Sequence, residues 1–517
     1  MKSVCFLLVL ATLVISCNRK QPGETHTESR TVALDTTYFD DFYAKYPKFK
    51  LFRKETAQLY ARHESHCIWY DKAGRIDFAE ALYNAATQLD EEGIPSGLPY
   101  EKAFDKLFDI EPKRSKPTAE NELLITSLYF FYTDKVYEGM DPTHSKETGW
   151  YLPRDKTSYV DYLDKLMKDP DRIQKDATEQ LGQYYNLRKA LQRYKKIREQ
   201  GGWPVLKMPE GKKVIQPGET DPVVAAVRKR LAMTGYLKSD SGSATFDGEL
   251  ETAIKTYNER QARDPEAVIT ADLLKELSVP VEDRIRTITV NMERCRWIAP
   301  DILEAKEVIG VNIPSFRMAY FREGKPVLWS RVVVGKELNK TVVFSGKISY
   351  LVFSPYWNIP TSILEKEIKP GIAQDPDYLE KHNMEWNGPN VRQRPGDDNS
   401  LGLIKFMFPN TNNIYLHDTP AKSLFSREKR ALSHGCVRVE KARDLAVKIL
   451  ENDKNWTPEK IDKAMHAGKE STYTLNRRIP VYIAYFTAWA DKDGRVAFFP
   501  DVYDRDDRLA HLLYETD

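Results

Sequence analysis

The run VIGVNIPSFRMAYFREGKPVLWSRVVV, residues 308–334, decides how the chain is built. Apolar residues fall at alternate positions, Val311 and Ile313 and then Phe316, Met318 and Tyr320, before Glu323-Gly324-Lys325 interrupts the pattern and residues 327–334 resume it. Side chains of a strand alternate between two faces, so a period of two on both sides of a glycine turn specifies a hairpin. The alternation recurs at 348–353 and 479–489, and Asp493-Gly494 turns into a further short run at 496–499. Residues 306–517 are therefore expected to form a β-rich, β-sandwich-like domain. It is interrupted at about 361–400 by a charged, proline-containing insertion with short helical pieces at 362–367 and 376–381, placed where a lid would cover a site.

Upstream the period is helical. Ala79, Leu82, Ala86 and Leu89, then Leu124, Leu128, Phe131 and Val136, then Tyr184, Leu187, Leu191 and Tyr194 recur every three or four residues, as core-facing stripes do. A helical scaffold over 38–205 is expected, closed by the helix stop and turn Gly201-Gly202-Trp203-Pro204. Residues 206–280 read as a small module of three helices. Asp221-Pro222 caps the first, Phe246-Asp247 starts the second, and Thr270 precedes the third with Leu273, Leu274 and Leu277. Its Arg-Leu, Gly-Tyr, Phe-Asp and Thr-x-x-Leu-Leu positions resemble the peptidoglycan-binding module of cell-wall enzymes. Asp264-Pro265-Glu266-Ala267 replaces the glycine-containing loop usual there, and a purely structural spacer is the alternative. Residues 281–305 read as a linking helix. The fold class is thus α+β and multidomain.

With Lys+Arg 78 against Asp+Glu 76, a net charge of +2 in 517 residues carries no nucleic-acid footprint. Lys2 and the apolar run from Val4 to Ile15 form an export signal too short to span a bilayer. Its end, Val14-Ile15-Ser16-Cys17 followed by a polar stretch, resembles a bacterial lipoprotein signal with residues 1–17 as signal peptide, Cys17 as the acylated residue and 18–37 as a flexible tether; the alternative is a plain secretory signal. Of five cysteines, only Cys67, Cys295 and Cys436 then remain as thiols, which is no disulfide framework, although a Cys67 to Cys295 bridge stays open. His63 and His66 are three apart without further ligands, so no metal site is expected.

The chemistry-bearing stretch is Ser433-His434-Gly435-Cys436-Val437-Arg438, with Ile414-Tyr415-Leu416-His417-Asp418 upstream. A cysteine acts as a nucleophile through its thiolate, so the site must assist deprotonation. His417 is a candidate base, His434 its rival, Arg438 a fixed positive charge, and a helix expected from about residue 440 would turn its positive end toward Cys436. Gly435 lets a carbonyl approach the backbone, where the Cys436 N–H would donate to an oxyanion. Arg438, two residues beyond, shares a face with Cys436 on extended backbone, either to dock a substrate carboxylate or to brace the loop. Ser433, His434, Gly435, Arg438 and Tyr415 are the expected oxyanion or substrate-positioning residues.

His417-Asp418-Thr419 followed by the Ser-His-Gly-Cys-Val-Arg run resembles the signature of the L,D-transpeptidases, the YkuD domain. The resemblance extends through Val333-Val334-Gly335-Lys336, residues 355–360, 405–410 and 480–504, and with the helical regions to the large multidomain murein enzymes. It implies Cys436 as nucleophile and His417 as base, a thioester formed at the third residue of a peptidoglycan stem peptide with loss of D-alanine, and a 3-3 cross-link to the amine of an acceptor stem. It also implies no cofactor, acylation by carbapenems, and an exported protein of the cell envelope. Hydrolysis of the thioester by an L,D-carboxypeptidase or endopeptidase, exchange of D-amino acids, anchoring of an envelope protein, or a non-catalytic wall-binding lipoprotein are the alternatives.

Overall fold

The computed structural model describes residues 32–152, 158–169, 180–298 and 305–514, with Ile302. The expected signal peptide, Cys17 and most of the tether lie outside the described residues. The tether's last part is built into the fold: Leu34 is buried, and the Cys67 N–H donates to the Val32 carbonyl at 2.9 Å. No helix among the described residues is long and apolar enough to cross a membrane.

The N-terminal helical region closes on its own core, which runs from Leu34 to Leu166. Its axis is α1 (Ala119–Thr133), capped by the Thr118 hydroxyl, with every residue from Glu122 to Thr133 buried. A helix apolar on all sides must be surrounded, and Phe42, Tyr60, Trp69, Leu82 and Leu163 do so. The next long helix, α2 (Gly182–Glu199), departs from the expected grouping: Tyr184, Leu187, Leu191 and Tyr194 share a core with the β domain instead.

The three-helix module comprises α3 (Pro222–Met233), α4 (Gly248–Arg260) and α5 (Ala271–Leu277). Asp221, Asp247 and Thr270 each cap a helix by accepting from the backbone N–H of Val223, Leu250 and Leu273. The module has a small core of its own and docks on the β domain, where the Tyr236 hydroxyl donates to the Val496 carbonyl and the Phe498 N–H to Gln261 Oε1. The expected linking helix is α6 (Val281–Arg296). It serves as an internal strut, since residues 288–296 are all buried in the shared core.

The C-terminal domain contains β1 (Glu307–Asn312), β2 (Arg317–Arg322), β3 (Lys325–Gly335), β4 (Phe344–Phe353), β5 (Ile404–Met407), β6 (Leu416–His417), β7 (Ala431–Ser433), β8 (Val437–Val439) and β9 (Ser471–Ala484). Strand β3 pairs with β2 along its first part and with β8 and β7 along its second. The ladder therefore runs β3, β8, β6, β5, β4, β9, β1, β2 and back to β3. The expected sandwich is one sheet closed on itself, which leaves few free edges. Long β9 bends to follow it, its register on β4 shifting between Thr474 and Ile479. Val332, Val334, Leu416, Val437, Val439, Ile404 and Phe406 are buried in the core. The alternate residues of β5, β6 and β8 face outward. A hairpin of β10 (Ala488–Ala490) and β11 (Val496–Phe498) packs on α2 and α6.

The insertion forms a subdomain. Strands Trp357–Asn358, Asn390–Gln393 and Met384–Asn387 make a small antiparallel sheet. Helical turns at Thr361–Ile363, Leu364–Ile368, Lys369–Gln374 and Tyr378–Lys381 cover it. Ile359, Ile363, Leu364, Ile368, Met384 and Val391 form its own apolar core.

Candidate active site

The site lies on the outward face of the closed sheet, where β5, β6 and β8 run side by side. Strands β6 and β8 are parallel with His417 opposite Arg438, and β5 is antiparallel to β6 with Lys405 opposite His417. Lys405, His417 and Arg438 thus form one row across three strands. Stepping back two residues on β6 and β8 gives Tyr415 and Cys436 on the same face, joined by the Val437 N–H donating to the Tyr415 carbonyl at 3.2 Å.

The turn before Cys436 is tightly specified. Gly435 has φ +123°, a left-handed region that favours glycine. Its carbonyl accepts from the Thr341 hydroxyl at 2.9 Å; Thr341 Oγ1 in turn accepts from the Gly335 N–H, and the Tyr503 hydroxyl donates to the Gly335 carbonyl. Ser433 Oγ accepts from the Gly435 N–H and donates to the Cys436 carbonyl at 2.6 Å, so this hydroxyl is spent on the turn. With the Gly435 carbonyl held, the trans peptide directs the Cys436 N–H the opposite way, and that N–H has no hydrogen-bond partner among the described residues.

His417 is buried, and its Nδ1 lies 2.5 Å from the Asp418 carbonyl oxygen. A carbonyl only accepts, so Nδ1 carries the proton and Nε2 is the basic nitrogen. Burial above all, then the Arg438 guanidinium, lowers the imidazole to about 3, so it is neutral at neutral pH. Cys436 is half-buried, with Sγ 3.6 Å from the Asn413 carbonyl. Burial pushes this thiol up, opposed by hydrogen bonds from the Tyr415 backbone and side chain and by the charges of Arg438 and Lys405. Tyr415 is itself held protonated by burial and by its neighbour Cys436, and its ring packs edge-on to His417 with centroids 5.7 Å apart. The resting site thus holds a neutral thiol and a neutral imidazole on one face of the sheet.

The helix expected to point at Cys436 does not. Strand β8 intervenes, its three residues alone covering roughly 10 Å at strand rise, and α7 (Ala442–Leu450) starts only after it. A helix dipole fades within a turn, so it contributes little here. His434 is exposed and faces the insertion, its Nε2 lying 3.2 Å from Glu367 Oε1. Lys405 heads the 405–410 stretch that carries part of the resemblance, but nothing in that stretch gave it a role; its charge acts on the thiol. Burial lowers both the Lys405 ammonium and the Arg438 guanidinium.

Cys67 and Cys295 are free, buried thiols in separate cores, so they form no bridge; burial pushes Cys67 up to about 12 and Cys295 higher still. No group of three or more His, Cys, Asp or Glu among the described residues is arranged to hold a metal ion. A cavity of about 290 Å³ beyond Asp418, lined by Lys422, Glu440, Arg443, Asp462 and His466 among others, carries mixed charge and does not include Cys436 or His417.

The site thus places a cysteine and a neutral histidine on the outer face of a closed mixed sheet that is joined to helical domains. Residues 306–461 match the YkuD family model, described as the L,D-transpeptidase catalytic domain, and residues 54–191 match a family model described as a scaffold domain. The C-terminal sheet is thus similar to the L,D-transpeptidase catalytic domain of the YkuD family, and the helical region to the scaffold domain. It is 36% identical over 251 residues to the "Putative L,D-transpeptidase" of Haemophilus influenzae, a match covering 44% of this chain and 50% of that relative's length. Similar solved structures include an L,D-transpeptidase from Mycobacterium smegmatis, with 11% identity, 35% of this chain and 59% of that one, and a TM-score of 0.21. Another is an L,D-transpeptidase from Stackebrandtia nassauensis, with 14% identity, 54% of this chain and 96% of that one, and a TM-score of 0.23.

Proposed function

We propose that this chain is a cysteine L,D-transpeptidase of the cell wall, forming 3-3 cross-links between peptidoglycan stem peptides. The observation that carries this reading is the outward face itself: Tyr415 and Cys436 on one rung, Lys405, His417 and Arg438 on the next, with the His417 proton on Nδ1. In the proposed reaction Cys436 Sγ attacks the carbonyl of the donor's third residue while its proton passes to His417 Nε2. The carbonyl π electrons move to oxygen, where the unengaged Cys436 N–H stabilises the oxyanion. Collapse breaks the C–N bond, His417 returns the proton to the departing D-alanine amine, and a thioester remains. The side-chain amine of an acceptor stem then attacks the thioester, passes a proton to His417 and releases the thiol. The neutral resting pair fits this sequence, because Nε2 is unprotonated when the thiol arrives. No metal or organic cofactor takes part, and a carbapenem would acylate Cys436 by the same attack.

Ser433 and Gly435 act in this scheme by shaping the turn, Tyr415 by donating to the thiolate, Arg438 by its charge, and His434 as the motif's contact with the insertion. The upstream signal supports export and anchoring in the cell envelope through acylated Cys17, which incorporation of labelled fatty acid into wild type and not Cys17→Ala would test.

The deciding experiment incubates the protein with a disaccharide-tetrapeptide and follows products by intact mass. Dimers with loss of D-alanine, abolished by Cys436→Ala, are the expected result. Tripeptide monomers would instead assign hydrolysis by an L,D-carboxypeptidase, and no product together with no carbapenem adduct would assign a non-catalytic wall-binding lipoprotein.

A further inference from the structure

Two half-buried cations stand at this site without an ion-pair partner among the described residues. Neither Lys405 nor Arg438 has a carboxylate within ion-pair distance among the described residues, and the Arg438 Nε is buried without a hydrogen-bond partner. The acidic groups nearby are committed elsewhere. Glu470, whose charge reaches Lys405, accepts the Tyr356 N–H at 2.7 Å, and Glu367 of the insertion faces His434. His417, between the two cations, is neutral, and the thiol rests protonated. Charge partly withdrawn from water and left unpaired is costly, so a site of this kind is matched to an anionic ligand.

We propose that Lys405 and Arg438 form a seat for the carboxylate that ends the donor peptide, and that Lys405 is thereby a specificity-determining residue selecting donors whose leaving amino acid bears a free carboxylate. This rests on the donor reading given above. Register supplies the geometry: Lys405 and Arg438 flank His417 on neighbouring strands, about 10 Å apart at their backbones, a gap that two long side chains close from either side. Arg438 is two residues from Cys436 on the same face, roughly 6 to 7 Å along the strand. The carboxylate of a leaving amino acid lies one residue beyond the carbonyl under attack, about 3.8 Å further along the peptide, so a donor with that carbonyl at Sγ reaches toward the seat with its terminus. A donor ending in an amide, or extended by another residue, would present a neutral group to two desolvated cations and be rejected. The ammonium adds what the guanidinium alone lacks, a second charge on the other side of the base.

The test compares alkylation of Cys436 in the full chain by iodoacetate, which carries a carboxylate, and by neutral iodoacetamide. The ratio of their rates is expected to fall roughly 10- to 100-fold in Lys405→Gln, as for loss of a charge-assisted hydrogen bond, and to be restored by Lys405→Arg. In wild type, N-acetyl-D-alanine is expected to protect Cys436 from iodoacetate, and N-acetyl-D-alaninamide not to. An unchanged ratio in a folded Lys405→Gln, or equal protection by acid and amide, would overturn the seat. These readouts need no acyl acceptor, so they separate failure of the seat from failure of the transpeptidase reading, which the cross-linking assay decides. With active enzyme, the preference for a tetrapeptide over its C-terminal amide should shrink by the same factor in Lys405→Gln.

Discussion

Cys436 and His417 show how far a residue's role can be read without its surroundings. Their types and order were visible in the sequence, and so was their β context. Their protonation was not, because it depends on burial and on the charges of Arg438 and Lys405, and Lys405 is brought beside them by strand register from another strand. A thiol whose burial raises it above its ordinary value of 9.0 should react with iodoacetamide at a rate that still climbs through pH 9, with no plateau at neutral pH; a plateau near pH 6 would mean a resting thiolate-imidazolium pair. The histidine makes a second prediction. An unfolded histidine titrates near 6.5, whereas His417 is held at about 3 by burial first and Arg438 next. Between those values the unfolded chain binds a proton that the folded chain refuses, so stability present above pH 6.5 is lost as pH falls toward 3, by up to roughly 5 kcal/mol. Urea midpoints at pH 7.5 and 4.5 should therefore separate more for wild type than for His417→Gln, by roughly 2–3 kcal/mol, and equal separations would mean the imidazole stays accessible to protons.

At the level of elements, local chemistry was legible wherever it acts within a few residues. Asp221, Asp247 and Thr270 announce three helices because a side-chain oxygen at the cap satisfies an N–H two or three residues on. The hairpin turn at Glu323-Gly324 was equally plain, with both residues in the left-handed region. The helix expected right after Cys436 failed for the opposite reason. Val437, Arg438 and Val439 form a strand because β3 and β6 are there to pair with them, and those partners are distant in the chain. Nor does any local signal reveal the clasp of Thr341, Gly335, Tyr503 and Gly435. Thr341 is wholly buried, and its hydroxyl serves both the Gly335 N–H and the Gly435 carbonyl. Thr341→Val keeps the shape and orphans both groups, so a loss of about 1–3 kcal/mol is expected in a denaturant melt. Because that carbonyl orients the Cys436 N–H, kcat should fall roughly 10- to 100-fold with KM little changed, and a change confined to KM would place the clasp outside the chemistry.

In the whole molecule, the change from a helical period to a period of two was legible, but not where the hydrophobic boundaries fall, since a stripe on a helix does not say which surface it meets. The stripe of α2 reads like the rest of the helical region, yet it buries against α6 and the β10–β11 hairpin. The strut α6 is bound into both sides. Glu293 accepts the Met140 N–H and pairs with Arg296 at 2.9 Å, Arg296 donates to the carbonyls of Val136 and Glu92, and Asn291 exchanges hydrogen bonds with Thr487. The sheet is consequently closed in itself but not covered by itself. A fragment beginning at residue 306 would lack Tyr184, Leu187, Leu191, Ile288 and Met292, each buried in the shared core. At about 1.5–3 kcal/mol for each large apolar side chain, their loss is comparable to the 5–15 kcal/mol by which a typical domain is stable. The fragment 306–517 should show no cooperative thermal transition and no carbapenem adduct at Cys436, whereas 180–517, which keeps α2 and α6, should show both. A cooperatively melting, drug-reactive 306–517 fragment would mean that the sheet needs neither helix and that the strut serves only to hold the helical domain.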